Sequence, residues 1–174
     1  MNIISNIPSN AVILLIGVAG SGKTVLTKKA FRNKTLIVSS DECRKEISGN
    51  EKDQSVNVQA FELYYKKIEE GILQKKRVIA DATNLERYSR KRIYEIAQKN
   101  NVPIYALMFN IPLNVIKKQN KIKGTNIPEY AIERMFDKMK KTYRQIRKEI
   151  PNENIIDIVI QSNIKQTENL ERFS

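Results

Sequence analysis

The chain has 174 residues, and its 31 Lys and Arg outweigh 19 Asp and Glu to give a formal net charge of +12. That length suits one domain with a real core, and no apolar run approaches the ~20 residues a membrane helix needs. A single cysteine and no histidine exclude internal disulfides, cysteine-rich zinc sites, imidazole bases and Ser-His triads, leaving proton chemistry to Asp, Glu, Lys or Tyr.

The N-terminus, Met1 to Pro8, lacks the basic and apolar regions of a secretory signal, so a cytoplasmic chain with no membrane association is expected. Residues 11–16 then read as a first, buried strand, and 22–32 as a helix. Lys34 to Val38 predicts a second strand with Ser39, Ser40 and Asp41 at its C-terminal end. A short helix begins near Asp41 and runs toward Ile47, broken by Ser48-Gly-Asn50. Ser55 to Leu73 predicts a long helix with Val58, Phe61, Tyr65, Ile68 and Ile72 on one stripe.

Arg77 to Asp81 reads as a third strand and Glu86 to Asn100 as a basic helix. Pro103 to Phe109 is a fourth strand, and Leu113 to about Asn120 a helix that gives way to a charged, Gly-containing loop, Lys121 to Thr125. Pro128 opens a helix at its first turn, where the missing N–H does no harm. That helix runs to about Glu149 and buries Ile132, Met135, Met139, Tyr143 and Ile146. Ile155 to Ile160 is a fifth strand, and the last dozen residues read as a polar tail or a short helix. Regular alternation of strands and helices predicts a single α/β domain over residues 1–174, a five-stranded parallel sheet with helices on both faces. Functional residues then gather at the C-terminal ends of the strands.

The most informative stretch is Gly17-Val-Ala-Gly-Ser-Gly-Lys-Thr24, directly after the first strand. It is the G-x-x-x-x-G-K-[ST] pattern of a P-loop. Gly17, Gly20, Ser21 and Gly22 let backbone N–H groups turn toward phosphate oxygens, and the following helix points its N-terminus at the same anion. Lys23 reaches the β/γ-phosphates of ATP, and the Thr24 hydroxyl sits on Mg²⁺. The motif says that a nucleoside triphosphate binds; it does not say where the phosphate goes.

Three further clusters lie at strand ends. Asp41 leaves the second strand on the P-loop side of the sheet, placed to orient or deprotonate an attacking hydroxyl. Arg44, three residues on, shares its face and suits an anionic group on the acceptor. The simpler alternative makes Asp41 the cap of the short helix and Arg44 a solvated side chain. Asp81 follows the third strand as a Walker-B-like carboxylate for Mg²⁺, and Thr83 and Asn84 either cap the next helix or contact the acceptor. Residues 117–127 form a candidate basic lid, with Lys117, Lys118, Lys121 and Lys123 as cations to stabilise the transferring phosphoryl group. Cys43 reads as a small buried residue. The charge excess fits a nucleic-acid partner or, equally, a chain rich in Lys, Asn and Ile throughout.

Taken together, the P-loop, Ser40-Asp-Glu-Cys-Arg44, Asp81-Ala-Thr-Asn84, and Lys118 to Thr125 leading into Pro128-Glu-Tyr-Ala-Ile-Glu-Arg134 resemble the kinase module of phage and bacterial 5′-hydroxyl polynucleotide kinases. The resemblance covers nearly the whole chain. It implies an adenylate-kinase-like fold and transfer of the ATP γ-phosphate to the 5′-OH end of DNA or RNA in nucleic-acid repair. It implies Asp41 as general base and Arg44 as the grip on the phosphate 3′ of the acceptor nucleotide. It also places Gln119 and Lys123 against ATP, at positions where the family usually carries arginines; Lys123 keeps the charge without the planar fork, and Gln119 only hydrogen bonding. No Asp-x-Asp-Gly-Thr phosphatase signature and no ligase-sized extension is present, so the resemblance implies a kinase working beside a separate ligase or phosphatase. A kinase of a small sugar- or nucleoside-like acceptor, and a non-catalytic ATP-binding switch, are the alternatives.

Overall fold

A computed structural model describes residues 6–31, 35–124 and 127–159. Five strands, β1 (Val12–Ile16), β2 (Thr35–Ser39), β3 (Arg77–Asp81), β4 (Ile104–Asn110) and β5 (Ile155–Val159), form one parallel sheet in the order β2-β3-β1-β4-β5. Six helices connect them: α1 (Lys23–Ala30), α2 (Ser40–Ser48), α3 (Asn57–Leu73), α4 (Arg87–Lys99), α5 (Leu113–Lys123) and α6 (Glu129–Glu149). All five residues of β1 are buried, so both faces of the sheet are covered there. The expected α/β architecture is therefore the observed one. No helix among the described residues is long and apolar enough to cross a membrane.

The strand order explains where a site forms. From β1 the chain goes first to β2 and β3 on one side, then crosses to β4 and β5 on the other. The loops after β1 and its neighbours diverge at that reversal and leave a crevice beyond the strand ends. Register keeps the floor level: Leu14 lies beside Ala80 and Ala106, and Ser39 beside Asp81.

Two details depart from the sequence reading. The buried stripe of α3 is Ala60, Tyr64, Tyr65, Ile68, Gly71 and Ile72, while Val58 is exposed. Val58 lies about a quarter-turn from the centre of that buried face. Gly71 is close to the side chains of Leu36 and Val78, where a Cβ would collide at 2.7 and 2.8 Å, so the small residue is what lets α3 lie on β2 and β3. Helix α5 also runs on through Lys121, Ile122 and Lys123 and ends at Gly124, whose φ of 57° is the left-handed helix stop. The expected loop at 121–124 is thus the last helical turn and its cap. Of the candidate lid, residues 125–126 lie outside the described residues, as does the polar tail after residue 159.

Candidate active site

The P-loop turns through Gly20 (φ 81°) and Gly22 (φ 89°), both left-handed, to deliver Lys23 as the first residue of α1. A Cβ on Gly20 would lie 2.2 Å from Nδ2 of Asn120, so glycine is required there for packing as well as for conformation. Ser21 is buried beneath the loop. The amide of Gly17 donates to the carbonyl of Thr83 at 3.1 Å, which ties the start of the P-loop to the segment after β3.

Lys23 is 7% exposed, and its Nζ donates to the carbonyls of Gly17 (3.0 Å) and Val18 (2.9 Å). Burial pulls its ammonium down from 10.5 to about 8, against the attraction of Asp81 and Asp41; the nearby charge of Lys123 adds to the depression. The Thr24 hydroxyl donates to Oδ2 of Asp81 at 2.8 Å. Burial pushes the Asp81 carboxyl above its ordinary range, opposed by that hydrogen bond and by Lys23. Thr24 and Asp81, 57 residues apart, form one hard oxygen-donor pair at the foot of the P-loop.

On the far side of β3, the cap of α2 is Ser39, whose hydroxyl accepts from the Glu42 amide. The capping alternative for Asp41 is therefore wrong by two positions: Ser39 holds the extended backbone of a cap and Asp41 is already in the first helical turn. Its carboxylate is left two-thirds exposed and ion-paired to Arg44. Arg44 is buried, and its Nε donates to Oδ1 of Asn57 at 2.7 Å. Asn57, the first residue of α3, fixes the guanidinium plane. No spacing rule links position 57 to 44, so sequence reasoning missed it. The thiol of Cys43, on the same helix, is buried and pushed up by that burial, as expected of a packing residue.

Asn84 is neither a helix cap nor an exposed contact. The residue before α4 is Glu86, which makes no capping bond, and Asn84 is buried with φ 49°. Its Nδ2 donates to the carbonyls of Leu15 (2.8 Å) and Ala80 (3.0 Å), clamping the ends of β1 and β3 together. The carbonyl of Asn84 in turn accepts from Arg90, a fully buried arginine that also grips Glu149 at 2.8 and 2.9 Å. Asn and Asp are the non-glycine residues most at ease with φ > 0, the one signal that pointed here.

The lid cations divide. Lys117 pairs with Glu129 and Glu133, and Lys121 with Glu129, so both fasten α5 to α6. Lys118 is exposed. Lys123, also exposed, is the one whose charge is felt at Lys23. Gln119 is half-buried, with its Oε1 sealed from solvent. The α5 side chain that touches the P-loop is its neighbour Asn120, whose Nδ2 donates to the carbonyl of Ala19 at 3.1 Å.

A P-loop at the strand reversal, closed by a carboxylate on the adjacent strand, is an arrangement for binding a nucleoside triphosphate, and a family model for an AAA domain matches residues 12–146. The chain belongs to that family. It is a P-loop domain of the AAA type. Among curated proteins it is similar to the L-seryl-tRNA(Sec) kinase of Methanococcus maripaludis, 26% identical over 134 residues, with 73% of this chain and 51% of that protein covered. The chain thus spans about half the length of the curated relative it matches. Among solved structures it resembles a chain of the Pnkp1/Rnl/Hen1 RNA repair complex, with a TM-score of 0.69 and 18% identity over 80% of this chain and 46% of that one. It also resembles a gluconokinase from Sinorhizobium meliloti 1021, with a TM-score of 0.53 and 13% identity over 94% and 89%. These structural likenesses establish the shared fold, that of adenylate-kinase-like P-loop kinases.

Proposed function

We propose that this domain is a polynucleotide 5′-hydroxyl kinase, which transfers the γ-phosphate of ATP to the 5′-OH end of DNA or RNA in nucleic-acid repair. The observation that carries this reading is the Asp41–Arg44–Asn57 group. It offers an exposed carboxylate beside an oriented guanidinium, across β3 from the P-loop, with the Asp41 charge acting on both Lys23 and Asp81. A kinase acceptor site for a nucleotide 5′ end needs those two groups: one to receive the hydroxyl proton and one to hold a phosphate. The fold likeness to the RNA repair complex and the likeness to a seryl-tRNA kinase both support a nucleic-acid acceptor.

The residues present fit ATP and Mg²⁺. The glycine-built loop and Lys23 suit the triphosphate, and the Thr24–Asp81 oxygen pair suits a hard cation. When bound, Mg²⁺ neutralises charge on the β- and γ-phosphate oxygens. Thr24 and Asp81 would hold it. Lys23 leaves its two carbonyl partners for the phosphates and Gln119 and Lys123 close over them from α5. Asp41 aligns the 5′-hydroxyl and takes its proton as the 5′-oxygen bonds to the γ-phosphorus and the β–γ bridging oxygen departs with ADP. Arg44 holds the acceptor's 3′ phosphate. Because phosphoryl transfer is loose, alignment by Asp41 and charge from Lys23 and Lys123 supply most of the effect. A separate ligase or phosphatase would process the same ends, in keeping with the multi-enzyme repair complex that contains Pnkp1.

The test offers 5′-OH DNA, 5′-OH RNA and 3′-phosphonucleosides with labelled ATP and Mg²⁺. Label is expected at the 5′ ends of the polynucleotides. ATP binding without transfer to any of them would overturn the reading. Transfer to a small neutral acceptor, insensitive to salt, would replace it with the small-acceptor alternative.

A further inference from the structure

Helix α6 carries two faces of very different character. Ile132, Met139, Thr142 and Ile146 are buried. On the opposite side Tyr130, Arg134, Asp137, Lys141, Arg144 and Lys148 follow one another at steps of four and three residues, so they stand in a single row. All six are exposed, Tyr130 at 70%. At about 1.5 Å of rise per residue the row from Arg134 to Lys148 is about 21 Å long.

Among the described residues, the basic residues of α3 and α4 are accounted for by carboxylates, whereas scattered lysines elsewhere, Lys28, Lys29, Lys45 and Lys76 among them, are not. On α3 and α4, Lys66, Lys67, Lys91, Arg92 and Lys99 each pair with a glutamate. At the sides of α6, Lys138 pairs with Glu86 and Arg147 with Asp157. The row differs. Among the described residues Arg134, Lys141, Arg144 and Lys148 have no carboxylate within salt-bridge distance, and the one acid in the row, Asp137, is taken by Lys140 at 2.9 Å. A solvated helix face that served only solubility would mix signs, as α3 and α4 do.

The row also starts in the right place. Glu129, in the first turn of α6, is bound by Lys117 and Lys121 of α5, the helix whose Asn120 touches the P-loop. Lys138 and Thr142 hold Glu86 and the Leu85 carbonyl, just beyond the Asp81–Asn84 segment. The row therefore leads away from the crevice along a helix anchored to both of its walls.

We infer that the exposed row Arg134, Lys141, Arg144 and Lys148, with Tyr130 at its crevice end, is the binding surface for the phosphodiester backbone of the polynucleotide acceptor. Four unpaired cations over about 21 Å match a string of phosphates and release their counterions. The exposed Tyr130 ring offers a stacking surface for a base near the reacting end. Spaced along one exposed helix face, these cations meet backbone phosphates in preference to base edges, so the row provides length-dependent affinity with little sequence preference. This inference rests on the polynucleotide reading given above.

The test is the full chain with Arg134→Gln, Lys141→Gln, Arg144→Gln and Lys148→Gln combined, against a control with Lys66→Gln, Lys76→Gln, Lys91→Gln and Lys99→Gln that removes equal charge elsewhere. Long 5′-OH oligonucleotides and a 3′-phosphonucleoside serve as acceptors, and oligonucleotide binding is also read by fluorescence anisotropy across a salt series. The row variant is expected to raise KM for the long acceptor at least about tenfold at unchanged kcat and to flatten the log–log salt slope by about 3. It is expected to leave the small acceptor and ATP binding untouched, and the control to resemble wild type. An unchanged KM and slope, equal losses on both acceptors, or equal losses in row and control variants would overturn the inference. So would binding to phosphatidylserine vesicles in place of oligonucleotide. If wild type transfers no label yet binds oligonucleotide with a salt slope the row variant loses, the kinase reading falls and the surface stands; transfer to 5′ ends with an unaltered row variant gives the reverse.

Discussion

The two halves of the crevice are built in opposite ways. The donor half is compact in sequence and closed in space: eight consecutive residues from Gly17 to Thr24, one carboxylate from the next strand, and a lysine that is almost fully buried. The proposed acceptor half is drawn from α2, α3 and α6, and its carboxylate, Asp41, stands two-thirds exposed. The donor cradle is a tight glycine turn whose lysine is already held by the carbonyls of Gly17 and Val18. An acceptor varies, and the groups that meet it sit on helices whose faces are set by packing far from the chemistry. Donor chemistry is therefore a local property of this chain, and acceptor choice a tertiary one.

That contrast breaks most sharply at Asp41. Asp41→Asn is expected to lower kcat by about 10²–10⁴-fold while the Kd for ATP stays unchanged, since the side chain touches no part of the P-loop. Isothermal titration with ATP beside single-turnover transfer measures both; a variant that lost ATP binding would put Asp41 in the donor half. Next in size, Gly20→Ala forces a Cβ onto Asn120 at a φ of 81°. It should cost about 1–2 kcal/mol in backbone strain alone, read as a lower Tm, and weaken ATP by at least about tenfold. Restoring space with Asn120→Gly in the same chain should recover part of the loss, because the two residues share one contact.

Asn57→Ala tests the acceptor side more gently. Loss of the Oδ1 acceptor frees the Arg44 guanidinium to rotate about its bond to Asp41, and acceptor KM should rise about five- to tenfold with kcat and ATP affinity little changed. A fall in kcat at constant KM would instead make Asn57 part of the proton-transfer step.

The smallest effect concerns pH. Burial depresses Lys23 to about 8 in the free protein, and a bound triphosphate favours its charged form. Below pH 8 the ammonium is already protonated and binding takes up little; above it, binding must draw a proton. ATP affinity should fall roughly tenfold between pH 7.5 and 9, with proton uptake rising toward one per ATP, measured by titration in buffers of different ionisation enthalpy. The same depression lowers folding stability fully below pH 8 and is relieved as pH rises toward 10.5, since the unfolded chain then binds the extra proton. An affinity flat to pH 9 would remove Lys23 from the donor half as drawn.

How much of this was readable in the sequence follows the same division. The P-loop, its lysine and threonine, and the alternation of elements are local patterns, and each was legible. The position of Asp81 against the P-loop was legible because the carboxylate directly follows an apolar strand. What stayed hidden needed contact information. Val58 continues the apolar spacing of α3 but lies about a quarter-turn from the centre of the buried face, which Tyr64 and Ile68 occupy. Lys121 to Gly124 looked like a loop from charge and glycine, yet Lys and Ile are compatible with helix and Gly124 is its stop. Lys117 and Lys121 looked like lid cations because their glutamate partners lie on the next helix. Asn84 looked like a cap because the residue type favours caps; only its left-handed backbone shows that it clamps two strands.

The pairing of Thr24 with Asp81 has a consequence for which changes this chain tolerates. Asp81 reaches the threonine because β1 and β3 run level, with Val12, Ile13 and Leu14 beside Val78, Ile79 and Ala80. Side chains alternate faces along a strand, so inserting one residue between Val78 and Ala80 would turn the carboxylate to the far face and displace it by about 3.3 Å. Apolar exchanges within that stretch cost only packing, whereas a change of length removes the donor half outright. β3 thus acts as a ruler: its spelling is free to drift, its letter count is not.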